Sequence, residues 1–203
     1  MHIEKNVFDN IFNTMLNIPE KIKDTENSRG DLLHWCYRPT LAGTPDERNP
    51  EKLIFPSAIY QLSDIERHAI FDWIKALRFP DGYASNLGRC IDSKQVKMFG
   101  MKTHDCHVFM QRLLPIALKE VVPVKVWEAV TELSVFFKDL TAATIWVEQM
   151  GRLEKQIPIT LCNLERIFPP SFFDSMEHLP VHLPYEAKMC EPVQYRWMYP
   201  FER

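Results

Sequence analysis

The sequence predicts a mainly α fold, and three observations predict it. Apolar residues in the first stretch of chain recur at three- and four-residue steps, an S-x-x-E capping box opens a second helical run at Ser63, and from residue 106 to 140 apolar positions again keep helical period. Strand character is confined to one short segment, Leu53 to Leu62. The expected architecture is therefore a helical domain with long irregular connections and at most one short β element.

Met1 to Asn17, "MHIEKNVFDNIFNTMLN", places Ile3, Val7, Ile11, Phe12 and Met15 on one face of a helix that starts with no preceding local element, as a truncated gene product would. From Glu20 to Pro56 charged residues and turn formers dominate ("KDTENSRGD", "RPTLAGTPDERNPEK"), which predicts a long, partly mobile connection. Ser63 and Glu66 then cap a helix with Ile65, Ala69, Ile70, Trp73, Ile74 and Leu77 on one face, and "RFPDGYASNLGR" ends it with proline and glycine turns. Cys106 to Leu118 reads as a helix kinked at Pro115, followed by a helix with Pro123 in its first turn and Val126, Trp127, Val130, Leu133, Phe137 and Leu140 as its apolar set. A third helix is expected over Ala142 to Lys155 and a fourth over Thr160 to Ile167. "FPPSFF" and "HLPVHLPYE" allow short helices at best between prolines.

Composition excludes several classes of function. The chain of 203 residues is 46% hydrophobic and 12% aromatic, enough for a folded core, and its net charge of −3 lacks the basic excess that binding to phosphates requires. Five scattered cysteines with no CxxC and no secretory leader read as reduced thiols, hence an intracellular protein. No apolar run reaches the roughly 18 to 20 residues of a membrane span. With only 6 glycines, no phosphate-binding loop, no GxGxxG and no HExxH, nucleotide and zinc-protease chemistry lack a motif.

The densest group of chemistry-bearing side chains is His104, Asp105, Cys106 and His107. Four adjacent residues of one segment point in different directions, so a zinc site would need His104, Asp105 and His107 to meet ligands from elsewhere, with His178 and His182 as the available pair. Pro180 between those two argues against the regular helix that would align their rings. The simpler reading is that Asp105 caps a helix starting at Cys106 while the histidines make ordinary polar contacts in its first turn. A cysteine nucleophile at Cys106 has histidines nearby but no hydrolase signature around it. Trp127, Phe136 and Phe137 read as helix-packing core rather than a base-stacking platform.

The strings "MHIEKNVFDNIFNTMLNIPEKIKD", "FPDGYASN", "GMKTHDCHVFMQRLLPIAL", "FPPSFFDSMEHLPVHL" and "YRWMYPFER" together resemble the C-terminal part of plant CACTA-type (En/Spm) transposon transposases, including the helical domain of unknown function that follows their catalytic region. The resemblance implies a division into residues 1–40, the remnant of the end of an RNase H-like catalytic region; 41–100, an irregular linker with one helix; and 101–203, the helical domain. Such enzymes hold two Mg²⁺ or Mn²⁺ ions with acidic side chains, because these hard ions prefer oxygen ligands. The family's upstream aspartates have no counterpart in this chain, His2 corresponds to the histidine of its D-x-x-H element, and Glu202 corresponds to the closing glutamate.

What the resemblance implies is a transposase-derived chain, cut at both ends and without catalytic activity by itself, that needs no cofactor of its own; DNA binding belongs to the intact family. Nuclear localisation follows from the resemblance, since no targeting signal is visible. Two other readings remain open. One is a host-retained interaction module that associates with itself or with transposase-like proteins through exposed apolar surface, with no membrane contact. The other is a small zinc-stapled domain, although zinc is not expected. Glu202 itself is expected to sit exposed, with Trp197 and Tyr199 anchoring the segment before it.

Overall fold

In a computed structural model, which describes residues 2–18, 21–35, 38–49, 53–80, 82–92 and 96–196, with the backbone alone for 33–35, the first apolar stripe forms helix α1 (His2–Met15). Val7, Phe8, Ile11, Phe12 and Met15 are buried along it, with Glu4 and Thr14 on the same side. The connection expected to be mobile instead contains a second helix, α2 (Glu26–Trp35). Its start is fixed by a reciprocal pair of bonds: the Ser28 amide donates to Thr25 Oγ1 at 3.2 Å and the Thr25 amide to Ser28 Oγ at 2.9 Å. Leu32 anchors it in the core.

Helix α3 (Asp64–Ala76) begins at the predicted capping box, where the Ser63 amide donates to Glu66 at 2.8 Å and Ser63 Oγ accepts from the Glu66 amide. Its buried face is rotated from the expected one. Ile65, at 83% exposure, and Ala69 face solvent, while Phe71 joins Ile70 and Ile74 inside. Strands are two-residue antiparallel pairs, β1 (Thr44–Pro45) with β2 (Leu53–Ile54) and β3 (Ile91–Asp92) with β4 (Lys97–Met98). β2 lies in the segment expected to be extended; β1, β3 and β4 lie where no alternation of apolar residues announces a strand. The mainly α expectation holds.

Helix α4 (Thr103–Val108) runs through a π-helical turn, Phe109–Leu113, into α5 (Leu114–Leu118). Pro115 has no N–H to give, and the preceding turn widens so that the Leu114 amide reaches the Phe109 carbonyl; the expected kink appears as a π-turn. Trp127 Nε1 donates to the Pro115 carbonyl at 2.8 Å, tying the turn to the next helix. That helix, α6 (Val124–Leu140), starts directly after Pro123, which caps it rather than standing in its first turn as expected. Its partner, α7 (Val147–Glu165), is one continuous helix where two were expected. Pro158 sits inside it at a cost of about 3 kcal/mol in an isolated helix. Burial of Met150, Ile157, Thr160 and Leu164 offsets that cost and keeps the helix unbroken.

The tail folds as a short 3₁₀ turn at Pro170–Phe172, α8 (Ser175–His178), a 3₁₀ turn at Leu179–Val181 and α9 (Leu183–Cys190). It packs back on the beginning of the chain. The Tyr60 and Phe168 rings lie 4.6 Å apart, Phe168 stacks on Phe172 at 4.3 Å, and Arg38 donates to the Phe168 carbonyl at 2.7 Å. One buried apolar cluster thus runs from Val7 to Ala187.

Candidate functional site

The His104 to His107 segment forms the first turns of α4, which starts at Thr103, three residues earlier than expected. Asp105 is therefore not the residue preceding the helix but its third residue, and it reaches back to accept from the Lys102 amide at 3.4 Å. Its main partners are the amide and hydroxyl of Ser85, at 3.0 and 2.6 Å, so this buried carboxylate staples the loop after α3 onto α4. His104 Nε2 meets the Tyr83 carbonyl at 2.9 Å in the same loop. Cys106 is buried, and burial followed by the charge of Asp9 pushes its thiol up to about 12, which leaves no thiolate for nucleophilic chemistry.

His107 turns the other way. Its Nδ1–H donates to Glu4 at 2.9 Å, and Gln111, inside the π-turn, donates to the same carboxylate at 2.8 Å and to Thr141 Oγ1 at 2.9 Å. Glu4 is only 3% exposed and is satisfied by both donors, so the group locks α1, α4 and the end of α6 together. Neither Glu4 nor Gln111 stood out in the sequence. Glu4 lies beside the apolar stripe of α1, and only the spacing of His107 and Gln111, one turn apart on a helix, offered a hint.

The second histidine pair lies elsewhere. α8 docks on Asn10 of α1 through buried Glu177, whose Oε1 accepts from Asn10 Nδ2 at 2.5 Å. Glu4 and Asn10 are separated by about 9 Å of helical rise. The two histidine groups hence attach to different turns of α1, and among the described residues no three metal-binding side chains converge. Pro180 does interrupt the regular helix between His178 and His182, as expected, but the interruption is a 3₁₀ turn that still brings the two rings together. The backbone stays right-handed through the 3₁₀ turn, prolines occupy first-turn positions where no N–H is missed, and the Nε2 atoms approach to 3.2 Å. Glu202, Trp197 and Tyr199 lie outside the described residues.

Glu177 carries a measurable consequence. Burial, then the hydrogen bond it shares with Asp174, raises its carboxyl to about 7, while that bond holds Asp174 down at about 2. A carboxyl raised in the fold favours the folded state fully below its unfolded value, near 4.5, and that contribution is lost as pH rises through about 7. Asp174 acts in the opposite sense but only as pH falls through about 2, below this window. Glu177→Gln, a mimic of the neutral acid, is expected to match the parent at about pH 5 and to exceed it on the order of 1–2 kcal/mol at about pH 8. Urea midpoints at the two pH values check this, and a difference that does not change with pH refutes it.

One of several open concave surfaces lies between α6 and α7. It is a groove of about 450 Å³ walled by Trp127, Thr131 and Val135 from α6 and Leu153, Ile157 and Thr160 from α7, with Glu128, Glu132 and Gln156 also in its lining. The α6 residues are one turn apart and so form a single row. Thr160 Oγ1 donates to Glu132 at 3.0 Å and closes one wall. Thr131 Oγ1 is buried with no hydrogen-bond partner among the described residues. Val135 stands 47% exposed at the lip, and Trp146 and Val147, at the start of α7, are 70% and 72% exposed. Phe136 and Phe137 are buried, in keeping with the packing role expected for them.

This hairpin is where known proteins bear on the chain. Residues 140–203 match the family described as Domain of unknown function (DUF4218). No curated protein and no solved structure matches the chain. The DUF4218 match takes in α7, α8 and α9, and with them one wall of the groove, the exposed Trp146 and the His178–His182 pair. No helix among the described residues is long and apolar enough to cross a membrane.

Proposed function

We propose that the chain is a transposon-derived, transposase-like protein that acts through protein contacts and does not cut DNA by itself. The DUF4218 match of residues 140–203 agrees with the family resemblance of the sequence, and the CACTA assignment rests on that resemblance. The observation that carries the contact reading is two exposed features of the α6–α7 hairpin: a mainly apolar groove between the helices, with Glu128, Glu132 and Gln156 also in its lining, and Trp146 and Val147 exposed at the start of α7. A second copy of the chain is the natural occupant, because a two-fold pair lets each copy place its Trp146 and Val147 in the other's groove. The non-catalytic part is supported by how the buried carboxylates are used. Glu4 is held by His107 and Gln111, Asp105 by Ser85, Glu177 by Asn10, and Asp24 by Arg29 and Tyr60, each in a different part of the fold.

Two measurements test the two halves. Light scattering after size exclusion is expected to give a dimer mass that falls to the monomer in Trp146→Ala and in Val135→Glu; a parent that stays monomeric at all concentrations refutes the contact reading. Incubation with Mg²⁺ or Mn²⁺ and transposon-end DNA is expected to give no nicking. Metal-dependent nicking above the level of Glu202→Ala refutes the non-catalytic reading.

A further inference from the structure

We infer that His178 and His182 form a surface site for one divalent transition ion of the Cu²⁺, Ni²⁺, Zn²⁺ class, with the remaining coordination positions open. Both rings are exposed and their Nε2 atoms lie 3.2 Å apart. Two imidazole nitrogens bound at about 2.0–2.1 Å sit about 3.3–3.4 Å apart on a tetrahedral ion and about 2.8–3.0 Å apart at neighbouring positions of a tetragonal one. The observed spacing lies between the two, so either geometry is reached by a small rotation of the rings. In the metal-free pair one Nε2–H donates to the other ring. Chelation through both Nε2 atoms transfers that hydrogen to the Nδ1 of its own ring, with no net proton released from a neutral pair.

The scaffold under the pair is anchored on both sides. Glu177, next to His178, is buried and bonded to Asn10, while Pro180 and Pro184 are buried between and beyond the histidines. Side chains mounted on so fixed a backbone lose little further freedom on binding, which favours affinity from only two ligands. Nitrogen donors select against Mg²⁺ and Ca²⁺, which seek oxygen, and favour Cu²⁺ above Ni²⁺ and Zn²⁺. The site is independent of the α6–α7 groove, so its test and the test of self-association fail separately.

The experiment is calorimetric titration of the untagged full chain with Cu²⁺, Ni²⁺, Zn²⁺ and Mg²⁺ at neutral pH. Saturable binding of one transition ion is expected, tightest for Cu²⁺, with no heat from Mg²⁺. His178→Ala and His182→Ala are each expected to weaken binding by about tenfold or more, because a single imidazole loses the chelate advantage. Both side chains are exposed, so helical circular dichroism should not change, and His182→Gln serves as a second variant if the alanine change disturbs the turn. Absence of saturable binding, or binding that survives both substitutions unchanged, overturns the site.

Discussion

Asp24→Ala is expected to destabilise the fold by about 3–5 kcal/mol, the loss typical of a buried charge deprived of its partner. The Asp24 and Arg29 side chains are 0% and 5% exposed and meet through two parallel bonds of 2.7 Å, from Arg29 Nε and Nη2. Tyr60 Oη adds a third donor at 2.8 Å and Gln61 a fourth at 3.1 Å. Arg29 reaches on to the Pro56 carbonyl, so the cluster joins α2 to the chain leading into α3. Removal of Asp24 leaves the guanidinium buried without a counter-charge. For a chain of this size the loss corresponds to a fall in melting temperature of about 10 °C. Tyr60→Phe removes one hydrogen bond only and is expected to cost about 1 kcal/mol. Thermal unfolding of the two variants side by side checks the ranking; an Asp24→Ala protein no weaker than Tyr60→Phe shows that the pair contributes nothing beyond a neutral contact.

That cluster also marks where sequence reasoning stops. α1, α3 and α6 were legible because each carries its own instructions: an apolar stripe, a capping box at Ser63, a proline just before the first turn. α2 was not, because in "DTENSRGD" the polar residues that fold it look the same as those of a solvated loop. Thr25 and Ser28, three apart, were the local sign of a helix start, but what gives the segment value is a long-range event, the meeting of Arg29 with Asp24 and Tyr60. α7 failed for the opposite reason. Pro158 is a correct local breaker signal, and packing against α6 overrides it.

The candidate sites divide in the same way. That the His104 to His107 group would serve the helix start was readable from its position before an apolar run. That Asp105 would hold Ser85, and His107 would hold Glu4, was not, since those partners lie 20 and 103 positions away in sequence. The approach of His178 and His182 depends on backbone angles that two prolines permit without announcing. The α6–α7 groove has no sequence signature at all. It arises because the row Trp127, Thr131, Val135 stands beside the buried row of α6 and meets α7 only at its edge.

Phe109→Ala is expected to remove about 3–5 kcal/mol and to do so mainly by loosening α1. Phe109 is fully buried in the π-turn, and its ring lies 5.3 Å from Phe8 and 5.2 Å from Phe12, with those two stacked on each other at 5.2 Å. Three rings in mutual contact bury a large apolar area and add edge and face attractions on top of it. They are the apolar half of the attachment of α1 to α4, the polar half being Glu4 with His107 and Gln111. Deletion of one ring opens a cavity that the π-turn, already displaced by Pro115, is poorly placed to fill. The α6–α7 hairpin keeps its own contacts. Hydrogen exchange is therefore expected to quicken along Val7 to Met15 while Val130 to Leu140 and Ile157 to Leu164 stay protected, alongside a lower urea midpoint. A uniform rise in exchange across both regions would mean that α1 and the hairpin unfold as one unit, and a loss below about 1 kcal/mol would mean that the rings are not what holds α1 in place.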